Sequence, residues 1–153
     1  MNKGIVIALS SIGLAQALKI PIKKYQTGKW DIRMIAASGG MPSSHSAGVS
    51  SLATYVALKR GVSTIDFALA SVFGIIVMYD AQGIRRQTGE ITIKVNTLDE
   101  EIEKLAGLPD GGFHDLTEQR LKEMLGHQPE EVIGGAILGV ALGAIGYFLE
   151  GKS

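Results

Sequence analysis

The chain has no cysteine, which removes disulfides, thiolate metal ligands and cysteine nucleophiles and leaves its redox compartment open. It also has no net charge, because 15 Lys plus Arg balance 15 Asp plus Glu. No global field therefore favours nucleic acid or a strongly acidic substrate, and partners have to be read from local patterns. No internal repeat or low-complexity tract stands out. What the chain does have is apolar: 46% hydrophobic residues, 20 glycines and a mean hydropathy of +0.22 in 153 residues. That length bounds it to one domain, and the composition points to a lipid-facing core.

Four apolar segments carry this character: Gly4 to Leu18, Ser46 to Leu58, Phe67 to Tyr79 and Val132 to Leu149. Only the last approaches the roughly 20 residues needed to span a bilayer. The others reach that length with their flanks, namely Ile20 to Ile22 beyond Lys19, Met34 to Met41 before the second, and Gly61 to Ile65 before the third. Lysine snorkels, so Lys19 need not end a span. Gly135, Gly139 and Gly143 recur at every fourth position of the last segment, giving a face that a neighbouring backbone can approach. The fold expected is all-α: a single integral membrane domain over residues 1–153, with about four membrane helices and short amphipathic surface helices. Lys3, the first apolar run and Ala15-Gln-Ala17 imitate a secretory signal and its cleavage site. The expectation is that the segment stays as a span.

A polar insert occupies residues 85–130. Thr97-Leu-Asp-Glu100 has the form of a capping box and predicts a short helix through Leu105, and Asp115-Leu-Thr-Glu118 predicts another through Leu125. Pro109-Asp-Gly-Gly112 reads as the turn between them. With four crossings, the insert and Lys19 to His45 share one side, which carries 11 of the 15 Lys and Arg. The positive-inside rule makes that side cytoplasmic and the protein a multi-pass cell-membrane protein.

Three groups of residues on this side carry chemistry. Ser38-Gly-Gly-Met-Pro-Ser-Ser-His-Ser46 can make a tight turn into the second helix, whose serine-capped start suits a phosphate. It reads equally well as an ordinary turn. His45 at that start can donate a proton to a leaving group. In Gly126-His-Gln-Pro-Glu-Glu131, Glu131 stands four residues after His127, a spacing that sets a carboxylate beside an imidazole and leaves the other ring nitrogen able to attack. A helix-entry histidine with a solvated glutamate is the plainer alternative. In Tyr79-Asp-Ala-Gln-Gly-Ile-Arg-Arg-Gln87, Arg85 and Arg86 match phosphate oxygens or serve as a positive flank. His114 fits none of these groups and reads as a loop histidine.

GGMPSSHSA, YDAQGIRRQ and LGHQPEEVIGG, with KWDIR upstream, resemble the divergent bacterial and plant branch of the type 2 phosphatidic acid phosphatase superfamily, related to acid phosphatases and vanadium haloperoxidases. The resemblance runs from about Gln16 to the end of the chain. It implies that His45, in Pro-Ser-Ser-His, is the general acid, with Ser43 and Ser44 near the phosphate. It makes His127 the nucleophile and Glu131 its orienting carboxylate, where the superfamily has an aspartate. Lys19 and Arg33 are candidates for the superfamily's first phosphate-binding motif, although their spacing departs from it. Arg120 is one residue too far from His127 for the third motif, so Arg85 and Arg86 are candidates for the vacant cationic role.

The implied activity is that of a membrane lipid phosphate or diphosphate phosphatase working through a phosphohistidine, with no metal and no cofactor. The alternative from another class is a non-catalytic binder or transporter of phospholipid headgroups or polyprenyl phosphates. Expected partners are the bilayer and a membrane lipid phosphate, not nucleic acid. Association into a homo-oligomer is compatible with the sequence and not specified by it.

Overall fold

The computed structural model describes residues 2–36, 39–107 and 126–151. Among these, the regular structure is helical: α1 (Lys3–Thr27), a 3-10 turn (Ile32–Ala36), α2 (Ser44–Arg60), α3 (Ile65–Gln82), α4 (Ile84–Leu105) and α5 (Pro129–Glu150). Local chemistry sets the ends. Asn2, Ser43 and Thr64 each cap a helix by accepting an N–H in its first turn, and Gly28 closes α1 in the left-handed region at φ 72°. Lys19 and Pro21 both lie inside α1, which also runs unbroken through Ala15-Gln-Ala17.

Among the described residues, three stretches are long and apolar enough to cross a membrane: Lys3–Thr27, the nearly continuous α3–α4 run Ile65–Ile102, and Pro129–Glu150. The pattern of burial is that of a protein in lipid. Large apolar side chains such as Leu9, Phe73, Ile137 and Phe148 point outward, whereas the fully covered positions are small or polar, including Ala15, Ala47, Ser11 and Ser51. In water this arrangement would expose a broad apolar surface; in lipid it leaves small residues to bring the backbones together.

α2 is the fourth helix of the bundle and its centre, packed on α1, α3 and α5. At 17 residues it is the shortest of the four and includes Ser46, Ser50, Ser51 and Thr54, which its neighbours shield from lipid. It runs parallel to α5, and the two mesh in steps of one turn. A Cβ on Gly135, Gly139 or Gly143 would collide with the carbonyl of Ser43, Ala47 or Ser51 respectively. α1 and α3 run the opposite way. At one end of the bundle Glu150 accepts from Tyr55 Oη (2.6 Å) and Lys59 Nζ (3.1 Å), with Lys3 Nζ at 3.7 Å. The other end gathers Lys19, the start of α2, the end of α3 and the start of α5.

The boundaries differ from expectation in three places. The expected extension from Met34 to Met41 does not join the second helix, because Met34–Ala36 lies in the 3-10 turn, residues 39–42 bend, and α2 starts only at Ser44. Gly61 to Thr64 is likewise a loop, with the Thr64 cap deferring α3 to Ile65. Thr97 opens no helix: it lies inside α4, and its hydroxyl donates to the Ile93 carbonyl (2.9 Å). Ile84, Ile91 and Val95 continue the apolar pattern upstream, so the helix nucleates a dozen residues earlier than a capping box alone suggests. The expected turn at Pro109 to Gly112, the helix from Asp115 to Leu125, Arg120 and His114 lie outside the described residues.

Candidate active site at one end of the bundle

His127 and Glu131 stand one turn apart where α5 begins, so their side chains meet on one face. Glu131 Oε2 lies 3.0 Å from His127 Nδ1. The same oxygen accepts the Gln128 N–H (3.1 Å) and the Gly40 N–H (3.2 Å). With two backbone amides already donating to it, this oxygen is placed to take a third hydrogen bond from an Nδ1–H, an arrangement that would leave the lone pair on Nε2. His127 is 1% exposed, so this orientation is enforced by packing as well as by hydrogen bonding.

Three chain segments are pinned around this pair. The His127 N–H donates to the Ala81 carbonyl at the end of α3 (3.1 Å), and the Ser43 N–H donates to the Glu131 carbonyl (2.9 Å). Ser43 caps α2 through its hydroxyl, which accepts the Ser46 N–H (3.3 Å). Ser44 is the first residue of α2 and is buried. His45 follows, and its ring meets that of His127 edge-on, with centroids 5.8 Å apart and planes at 72°. Two imidazoles at that separation can serve opposite sides of one small tetrahedral group. Gly40 has φ 93°, and a Cβ there would lie 2.9 Å from Met34 Cε. Glycine is thus what allows the turn to aim its N–H at Glu131.

The cations divide. Lys19 is 1% exposed, and its Nζ donates to the Gly39 carbonyl (2.9 Å). It shares a recess of about 90 Å³ with Lys23, Gln26, Met34, Gly40, Met41 and Glu131. Arg33, in contrast, is exposed on the 3-10 turn, where its backbone N–H donates to Asp31 (3.0 Å). Arg86 is engaged within α4, its Nε donating to Glu90 (3.1 Å). Arg85 stands in the first turn of the same helix. Of the sequence-derived residues, Lys19, Ser43, Ser44, His45, His127 and Glu131 converge. Arg33 and Arg86 do not join them in this conformation.

Several contributors went unread in the sequence. The Gly40 and Gln128 amides, the Ala81 carbonyl, Lys23 and Gln26 all belong to the site. Gly39-Gly40 before a proline does signal a left-handed residue, but its target is 91 residues away.

The chain is similar in sequence to known proteins over most of its length. The chain is 37% identical over 145 residues to the uncharacterized membrane protein YuiD of Bacillus subtilis (strain 168), a match covering 92% of this chain and 91% of that protein. No solved structure matches it. The Divergent PAP2 family matches residues 1–142, which take in Lys19, both histidines and Glu131, and the chain belongs to that family.

Proposed function

We propose that the protein is a membrane lipid phosphate or diphosphate phosphatase that works through a phosphohistidine. The observation that carries this reading is Glu131 Oε2, which fixes His127 by Nδ1 while holding two backbone amides, with the His45 ring 5.8 Å from that of His127. His127 Nε2 attacks phosphorus, the bond to the lipid oxygen breaks, and His45 gives that oxygen its proton. Glu131 stabilises the imidazolium character that develops on His127. Water then attacks the phosphohistidine, giving its proton to His45 and releasing inorganic phosphate, which restores both rings. Lys19 and Lys23 supply positive charge beside the reacting group, and the first-turn amides of α2 offer further donors.

A lipid substrate fits the surroundings. An apolar groove of about 410 Å³ runs between α2 and α3, lined in part by Val49, Ala53 and Ala57. These follow His45 at successive steps of one helical turn, so the groove lies on the stripe that ends at the general acid. A hydrocarbon chain held there presents its phosphate to the histidines. The active face is assigned to the cytoplasm, because Lys19, Lys23, Lys24, Lys29 and Arg33 precede α2 on that side and Arg85, Arg86, Lys94 and Lys104 follow α3.

The test is phosphate release by purified protein from phosphatidic acid, phosphatidylglycerol phosphate and a polyprenyl diphosphate, with and without vanadate. Vanadate-sensitive release, lost in His127→Ala, is expected. Saturable binding of these lipids with no release from any of them would put the non-catalytic binder in its place.

A further inference from the structure

α4 carries a stripe that no other described helix covers. Ile84, Ile91, Leu98 and Leu105 recur at intervals of seven, and Val95 and Ile102 fall between them, giving alternating steps of four and three along the helix. Ile84, Ile91, Leu98, Ile102 and Leu105 are 62, 61, 55, 48 and 89% exposed. Among the described residues α4 packs on α3 alone, and Gly83 lies between the two helices. The other described helices therefore leave the stripe open, while a different face of α4 holds the buried Gly89 and Asn96.

We infer that α4 pairs with α4 of a second copy of this chain as a parallel two-stranded coiled coil. The 3.5-residue period is the one that keeps a narrow seam facing another helix. Ile84, Ile91, Leu98 and Leu105 occupy the d positions, and Thr88, Val95 and Ile102 the a positions. In the distal half, β-branched Val95 and Ile102 at a with Leu98 and Leu105 at d are the combination that favours two parallel strands, whereas Ile84 and Ile91 at d do not select for it. In that register Lys94 at g faces Asp99 of the partner copy at e, an opposite-charge pair formed twice by symmetry. Direction follows from the membrane: copies inserted in the same sense send α4 out on the same side, and a two-fold axis along the bilayer normal sets the helices parallel. About three heptads are marginal alone, but confinement of both copies to one bilayer raises their effective concentration.

A bilayer surface is the competing occupant, and the charges disfavour it. The helix bears Arg85, Arg86, Lys94 and Lys104 against Glu90, Asp99, Glu100, Glu101 and Glu103. Its distal half is thus acidic, where anionic lipid wants Lys and Arg, and no aromatic residue is present to sit at the interface.

The chain lacks cysteine, so single cysteines report the seam directly. Ile91→Cys and Leu98→Cys are expected to give a disulfide-linked dimer on mild oxidation in native membranes, and still to do so after reconstitution at high lipid-to-protein ratio. Glu90→Cys and Glu100→Cys, on the outer face, should give little. In detergent the double variant Ile91→Asp/Leu98→Asp should run as a monomer with the helical content of wild type. Absence of the dimer at Ile91 and Leu98, as a stripe lying on lipid would produce, overturns the inference. So does equal linking at Glu90 and Glu100, or a double variant that remains a dimer.

Discussion

In the proposed mechanism Glu131 is the residue on which the chemistry turns, because one oxygen serves as the imidazole's orienter, the helix cap and the anchor of the Gly40 turn. Glu131→Gln keeps the shape but offers an amide whose nitrogen cannot accept from three donors. Loss of the orienting charge should lower turnover about 10²- to 10⁴-fold, as comparable orienter and acid–base deletions do, with less effect on KM. A Glu131→Gln protein with wild-type turnover would leave the carboxylate a purely structural cap. The two histidines should separate by leaving group. His45→Ala should lose about 10²- to 10⁴-fold on a lipid phosphate and far less on an aryl phosphate, whose leaving group departs without a proton. His127→Ala should fail on both, and acid-labile, base-stable phosphate trapped on wild type should be absent from it. A label that persists in His127→Ala would refute the nucleophile assignment.

These residues differ in how far the sequence disclosed them. The His127–Glu131 spacing and the Pro42-Ser-Ser-His45 start were legible because each is a local relation along one helix or at one helix end. The amides that complete the carboxylate's coordination were not, since Gly40 reaches Glu131 only after α2 and α5 have packed side by side. Lys19 was legible as a residue near the site, whereas its bond to the Gly39 carbonyl was not. Arg86 shows the reverse: paired arginines suggested a phosphate clamp, and the nearer partner, Glu90, is what one helical turn supplies.

Between elements, the α2–α5 contact decides whether the site exists at all. The backbone carbonyls of Ser43, Ala47 and Ser51 rest where Gly135, Gly139 and Gly143 have no side chain, so the helices approach closely along their length. Gly139→Val, two turns along α5 from Glu131, forces them apart; overpacking of this kind costs about 1 to 3 kcal/mol and should lower the thermal midpoint in detergent. Because Gly135 and Ser43 flank the catalytic end, Gly135→Val should abolish activity even where the protein still folds. An unchanged midpoint in Gly139→Val would mean that the helices are not in contact there. The glycine spacing announced a close approach from sequence, although its partner could not be named: α2 has too few large apolar residues to advertise itself as the central helix. α4 was misjudged for a related reason. A search for uninterrupted apolar runs and capping boxes passes over a stripe whose members stand seven residues apart in a polar helix.

At the scale of the whole molecule, the two ends of the bundle have opposite characters. One end is closed by Glu150 holding Tyr55, Lys59 and Lys3 across three helices; the other opens at the histidines and extends into α4. The proposed cytoplasmic placement of the histidine end rests on the uneven Lys and Arg content of the flanking loops, since positive residues near span ends resist translocation. A cysteine-free chain allows a direct check. Tyr25 is 94% exposed in the last turn of α1, at the site end, and Val62 is 66% exposed in the loop between α2 and α3 at the opposite end. Tyr25→Cys should resist a membrane-impermeant maleimide in intact cells and react after the membrane is opened. Val62→Cys should react in both conditions. The reverse pattern would place the histidines outside, and labelling of both in intact cells would contradict the four-crossing bundle itself. The orientation bears on the proposed chemistry, because it fixes which leaflet's phosphorylated lipids can reach the histidines. The labelling result therefore selects which of the lipid phosphates in the release assay the protein can reach.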